Sequence, residues 1–322
     1  MKNYLNFTLK GIQFLPVWIA FFFFFMIPYY FLIGELTALT GAEVSAEGPS
    51  KLFFLYLAFV LAMAYTFIYY MVKLVVQSLE YKGEKVLCNY HLGKYIGIII
   101  SGLLLSIVTV GIYLPWFIKN MHRFFTNGVS YHSHRFSFKG KGGKLFWIMT
   151  LTIFIPFLLV GILLFSILKS SIDLQSQNFL VVYQLIVMFS LVPNIYLILK
   201  WMVDFRYKDY LIRWDTEFFP ATGKIGLELL LAVLTFGIYF PMAYIRLYRY
   251  FTEHTKSNVV NGQQISMGYD GDLLSDFFFM WGQILLTVIT LGFYYPWAFS
   301  RIAQRVLVQT FLSTETTQVS IG

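Results

Sequence analysis

Three stretches of this chain repeat one pattern: Thr109-Val-Gly-Ile-Tyr-Leu-Pro-Trp116, Thr235-Phe-Gly-Ile-Tyr-Phe-Pro-Met242 and Thr290-Leu-Gly-Phe-Tyr-Tyr-Pro-Trp297. Each follows a long apolar run and precedes a basic, aromatic stretch. Proline removes a backbone donor and clashes with the preceding turn, and glycine takes backbone angles that other residues avoid. The residue before proline is also pushed from helical geometry. Bends are therefore expected at Thr109, Gly111, Tyr113, Pro115 and Trp116. The same holds at Thr235, Gly237, Tyr239 and Pro241, and at Thr290, Gly292, Tyr294, Pro296 and Trp297. In lipid, such a bend survives only where protein or water satisfies the freed backbone groups. Two readings follow: a kinked span with an aromatic interfacial anchor, or a re-entrant hairpin lining a cavity.

The apolar runs cover residues 12–33, 52–72, 95–110, 146–168, 179–202, 225–234 and 277–289. With 58% hydrophobic and 12% charged residues, the chain is far from a soluble domain. The net charge of +8 comes from basic residues flanking apolar runs, which points to a membrane surface rather than nucleic acid. If the motif-bearing runs enter and leave on one face, only Lys51 and Lys169 of the 24 Lys and Arg fall on the other side. The positive-inside rule then gives four full spans (12–33, 52–72, 146–168 and 179–202), with both termini cytoplasmic. Cys88 is the single cysteine, so no intramolecular disulfide can form.

Alternating segments near Phe7, Val86, Phe136, Ile265 and Val319 read as short strands. The expected fold is an α-helical polytopic membrane protein of internal repeats. Each repeat has two spans plus a Gly/Pro-broken third hydrophobic element, and the strand-like segments gather into a small cytoplasmic sheet. The repeats run approximately 1–130 and 131–260, with a partial third at 261–322, inside a single integral membrane domain.

After each motif, basic residues share a helix face: Lys119 with Arg123, Arg246 with Arg249, and Arg301 with Arg305. They suit anionic lipid headgroups or an anionic substrate, against the plainer reading of snorkelling anchors. Glu228, with Gly102 and Gln283 as its approximate equivalents, is the candidate for a gating or coupling group. Glu228 and Gln283 are candidate path-lining residues. His132 and His134 have no carboxylate or cysteine beside them, so no metal site is expected. Asp270-Gly-Asp272 reads as a turn. No zinc motif, phosphate-binding loop or nucleophile elbow occurs, and no cofactor is expected. The expected function is non-enzymatic, through lipid or partner binding at the cytoplasmic face. A channel or transporter for a small or lipid-like solute is the alternative.

Lead-ins such as Phe136-Ser-Phe-Lys-Gly140, the Thr-x-Gly-Ile-Tyr-x-Pro-Trp motif and the basic aromatic helix after it resemble the YjgN-like bacterial inner-membrane family. That resemblance covers essentially the whole chain and implies a polytopic inner-membrane protein, with no activity assigned. Met242 stands where the motif has Trp, and Gln264-Ile-Ser-Met267 replaces a Phe-rich strand.

Overall fold

The computed structural model describes residues 2–40, 50–168, 187 and 190–316. Its elements begin with β1 (Lys2–Phe7), α1 (Gly11–Phe21), α2 (Ile27–Thr40), α3 (Lys51–Gln77), β2 (Leu79–Tyr81), β3 (Glu84–Lys85) and β4 (Leu87–Cys88). Next come α4 (Leu92–Val108), α5 (Leu114–Gly128), β5 (Val129–Tyr131), β6 (His134–Phe138), α6 (Gly142–Met149), α7 (Ile155–Leu168) and α8 (Val192–Met202). The remainder is β7 (Asp204–Tyr207), β8 (Tyr210–Trp214), α9 (Phe218–Leu234), α10 (Phe240–Glu253), β9 (Thr255–Ser257), β10 (Gln263–Tyr269), α11 (Leu273–Ile289), α12 (Tyr295–Val308) and β11 (Thr310–Thr316).

The chain forms two compact units. One comprises Met1–Tyr4, Asn89–Phe278 and Gln309–Gly322; the other comprises Leu5–Cys88 and Phe279–Val308. In the first, one core gathers Val192, Tyr196, Trp214, Ala221 and Ile225, and another gathers Phe138, Leu145, Ile148 and Trp201. In the second, Phe7, Leu9 and Phe14 form the buried centre, with Tyr295 and Phe299 edge-on to the Phe14 ring or near it.

Among the described residues, three helices are long and apolar enough to cross a membrane: Gly11–Thr37, Lys51–Gln77 and Gly142–Ile162, of 27, 27 and 21 residues. The first and third each contain a widened π-helical turn, Phe22–Met26 and Thr150–Phe154. Both turns lie just before a proline, Pro28 and Pro156, whose ring crowds the carbonyl one turn back. Of the anticipated fourth span, 179–202, residues 179–186, 188 and 189 lie outside the described residues, and Val192–Met202 is α8.

The three motifs are built alike, atom for atom. The Thr hydroxyl donates to the carbonyl four residues back and accepts the backbone N–H of the motif Tyr: Tyr113, Tyr239 and Tyr294 each donate at 3.0 Å. The next two residues are left-handed: Val110 and Gly111, Phe236 and Gly237, Leu291 and Gly292. The Gly N–H closes the first helix on a carbonyl five residues back, at 2.7–2.8 Å. Pro115, Pro241 and Pro296 then sit in the first turn of α5, α10 and α12, where no N–H is needed. The result is a helical hairpin, and the Thr, Gly, Tyr and Pro of each motif take part in the reversal.

The α-helical expectation, with strands in a small accessory sheet, is corrected by the strand pairing. Eleven strands form one hydrogen-bonded order, β3-β2-β1-β11-β10-β9-β8-β7-β6-β5-β4, and the registered pairs are antiparallel. The order begins and ends on β3 and β4, which only Val86 separates in the chain. Sequence alternation found only some of these strands because several are two or three residues long and lie in basic connectors. Their hairpins turn on pairs with positive φ: Lys82-Gly83, His132-Ser133 and Asn261-Gly262. His132 is thus a turn residue rather than a strand residue beside His134. Phe218-Phe219-Pro220 opens a helix, and Val319 lies outside the described residues.

Candidate functional site

Inside each hairpin, one position on the first helix faces the second. It lies eleven residues before the motif Tyr: Gly102 lies against Phe117 of the second helix, while Glu228 and Gln283 each bond the motif Tyr that leads into it, Tyr239 and Tyr294. Glu228 is fully buried. Lys224 Nζ donates to its Oε1 at 2.7 Å, the Tyr239 hydroxyl donates to Oε2 at 2.8 Å, and Arg246 Nη1 stands 3.7 Å from Oε1. In the third hairpin, the Tyr294 hydroxyl donates to Gln283 Oε1 at 3.0 Å and accepts from Arg301 Nη1 at 2.7 Å. The first hairpin replaces this polar core with hydrocarbon: the Phe117 ring fills the space where a Gly102 side chain would start. Asn120 stands where Arg246 and Arg301 stand, and donates to the Tyr113 hydroxyl at 3.4 Å.

The structure divides the six basic residues by task. Arg246 closes on Glu228, and Arg301 on Tyr294. Arg249 donates to the Gly271 carbonyl at 3.2 Å and lies 3.7 Å from a Glu253 carboxylate oxygen. The Arg305 guanidinium lies 4.9 Å from the centre of the Phe279 ring. Lys119 donates to Asn120 Oδ1 at 3.3 Å. Arg123 instead lines a cavity of about 540 Å³ at the base of the first hairpin.

That cavity is assembled from separate stretches. Lys94 comes from the first turn of α4, and Asn120, Arg123 and Asn127 from one face of α5. Arg135 comes from β6, and Asn89 precedes α4. Asn127 is pinned because its Oδ1 accepts the Phe138 N–H at 2.8 Å. The Tyr90 hydroxyl donates to the Phe125 carbonyl at 3.1 Å, tying the start of α4 to the end of α5. Sequence reasoning named Arg123 but missed Lys94 and Arg135. The Asn120/Arg123/Asn127 spacing was the available local signal; Arg135 had none.

His122, on the same helix, packs away from the cavity. Its ring is edge-on to Phe138 at 4.4 Å and 5.6 Å from Trp201, and Nε2 donates to the Met202 carbonyl at 3.1 Å. Burial holds its pKa below the ordinary histidine value, with the Met202 bond opposing more weakly. Because the folded state binds this proton less readily, stability is present above about pH 6.5 and falls as pH drops through the unfolded value. Thermal midpoints of the purified protein are expected to fall between pH 7 and 5, and to fall less in a His122→Gln variant. Equal slopes would remove His122 from the account. Among the described residues, no three His, Cys, Asp or Glu side chains gather as a metal site.

Asn194, near the middle of the fifth apolar run, donates to Thr152 Oγ1 at 2.8 Å and so bonds two helices. Asp270 accepts from Lys2 Nζ and from the Tyr4 hydroxyl, which hold its carboxyl below the usual range.

Together these features define a mixed helix-and-sheet protein with three membrane-length apolar helices and three Gly/Pro-turned hairpins. A family model described as "Bacterial protein of unknown function (DUF898)" matches residues 104–268, about half of the chain. The chain belongs to that family. No curated protein and no solved structure matches it.

Proposed function

We propose that this is a polytopic protein of the bacterial inner (plasma) membrane, without enzymatic activity, that holds anionic lipid headgroups or a partner at its cytoplasmic face. The observation that carries this reading is the polarity of the hairpins. At the tips, Val110, Phe236 and Leu291 are 91%, 97% and 83% exposed. They are bulky apolar residues in left-handed backbone, a conformation that costs roughly 1–2 kcal/mol each. Hydrocarbon around the tips gives these side chains a favourable environment. The bases carry Lys94 and Arg123 in the first hairpin, and Arg249 in the second.

The leading arms α4, α9 and α11 have 17 residues each, about 25 Å of helix against a hydrocarbon core of roughly 30 Å. Re-entrant hairpins returning to the cytoplasmic side fit this length. The matched turns and the equivalence of Gly102, Glu228 and Gln283 support an internal repeat, and the lead-ins and motifs support the YjgN-like resemblance within the family. The distribution of Lys and Arg supports cytoplasmic termini. The channel or transporter reading has less support, because Glu228 and Gln283 are engaged by side chains of their own hairpins.

Cysteine labelling in intact cells tests this, in a Cys88→Ser background. Lys82, Ser133 and Asn261 are exposed turn positions. Cysteines there are expected to resist an impermeant reagent outside and to react once the cytoplasmic face is opened. Phe236→Cys is expected to react from neither side. Labelling of Phe236→Cys from outside would make the second hairpin a full crossing and end the re-entrant reading.

A further inference from the structure

The cavity at the base of the first hairpin has a charge that the fold does not balance. Lys94, Arg123 and Arg135 line it, together with His91, Asn120 and Asn127, and no carboxylate does. Among the described residues, none of the three cations forms an ion pair. The other hairpins carry acidic groups at the matching places. Eleven residues before Glu228 stands Glu217, the residue just before α9, and eleven before Gln283 stands Asp272, whose Oδ1 accepts the Ser275 N–H. The first hairpin has His91 at that place, no acidic residue in the first turn of α4, and Gly102 in place of Glu228. All three cations reach solvent, and no lining side chain offers them a counter-charge, so an anion from outside the chain would meet them uncompensated. The N-terminus of α4 adds positive potential at the same end.

The size and the donor set narrow the ligand. At about 540 Å³ the cavity falls within the range of small-molecule pockets, roughly 300–1,000 Å³, and a bare phosphate would leave most of it empty. Two guanidinium forks match phosphate oxygens, and a lysine adds a point charge. Three cations overmatch a single negative charge. A phosphate monoester carries about −1.5 to −2 at pH 7, with a second pKa of about 6. A zwitterionic headgroup would bring an ammonium that no lining carboxylate could receive.

We infer that this cavity binds a phosphomonoester, carried either by a lipid or by a soluble molecule. The inference rests on the reading of the basic face as an anionic-ligand surface, and narrows it to one site and one chemical class. Lys94 and Arg123 approach the phosphate from the two arms of the hairpin, and Arg135 from the sheet. The asparagine amides supply neutral donors for the ester-linked group.

The test uses the delipidated full chain in nanodiscs of phosphatidylcholine containing an equal fraction of phosphatidic acid or of phosphatidylglycerol. Glycerol 3-phosphate and inorganic phosphate are titrated in parallel without acidic lipid. Thermal stabilisation and native mass spectrometry give the readout. Phosphatidic acid is expected to bind at least tenfold tighter than phosphatidylglycerol, and the preference is expected to shrink as pH falls from 7.5 to 5. Arg123→Gln and Arg135→Gln are expected to lose that preference, while Arg301→Gln keeps it. Binding of glycerol 3-phosphate with no preference among lipids supports the site and makes its ligand soluble. Equal binding of both acidic lipids, reduced alike by Arg123→Gln, overturns the monoester inference while leaving the broader anionic-lipid reading intact. No binding of any phosphate probe by the wild-type chain overturns the site itself, whatever the variants do.

Discussion

Gly102→Gln alone is expected to destabilise the protein severely, and Phe117→Ala is expected to restore much of the loss. A Cβ at Gly102 would run into the Phe117 ring at Cδ2, and Phe117 is only 3% exposed, so its ring has no ready exit. Overpacking of this kind typically costs about 1–3 kcal/mol, and a contact this short belongs at the upper end. Phe117→Ala alone is expected to cost about 3–5 kcal/mol through the cavity it leaves. The double variant recreates the residues that the third hairpin carries at the same spacing, Gln283 and Ala298, with Tyr113 placed to donate as Tyr294 does. The two substitutions should therefore couple by more than about 1 kcal/mol in a double-mutant cycle. The measurement is thermal or denaturant unfolding in neutral detergent. Additive losses would mean that the hairpin interiors are not interchangeable versions of one design.

The likeness of the three motif turns was partly legible in the sequence. The Thr, Gly and Pro of each motif announced a reversal, and each is used in it. Lys82-Gly83 was readable as a turn for the same reason. The spacing of Glu228, Tyr239 and Arg246, repeated in Gln283, Tyr294 and Arg301, was also present in the chain. Its meaning depended on knowing that the second helix folds back on the first. Without that, Glu228 is only an ionisable group in an apolar run. In sequence Phe7-Thr-Leu-Lys-Gly11 is similar to Phe136-Ser-Phe-Lys-Gly140, yet Gly11 and Gly142 are the glycines that open helices and lie against Trp297 and Trp116. Phe7 and Phe138 are the matching buried strand ends.

The sheet was the part least visible. Lys2 pairs with Ser313 and Leu5 with Tyr81, so a strand of six residues takes partners hundreds and tens of residues away. Strands this short gain stability only collectively, and nothing local records which segments will meet. The basic cavity was hidden likewise. A helical repeat brings Arg123 together with Asn127, but Arg135 reaches them only through the hairpin of β5 and β6.

Glu228→Ala is expected to cost about 2–4 kcal/mol, and Glu228→Gln no more than about 1–1.5 kcal/mol. The carboxylate is fully buried and takes three partners, so its removal leaves the Tyr239 hydroxyl without an acceptor and opens a void. Breaking a buried ion pair can cost about 3–5 kcal/mol. Here Lys224 and Arg246 are 33% and 42% exposed and can turn to water, which lowers the figure. Glutamine keeps an oxygen for Tyr239, as Gln283 does for Tyr294, and loses only the charge. Unfolding of the two variants in detergent separates a structural clamp from a working group. A clamp predicts a large gap between Ala and Gln, with phosphomonoester binding in the first hairpin unchanged by either. Equal, small losses in stability would show that Lys224, Tyr239 and Arg246 do not depend on the carboxylate, and would return Glu228 to the role of a group held for movement of charge.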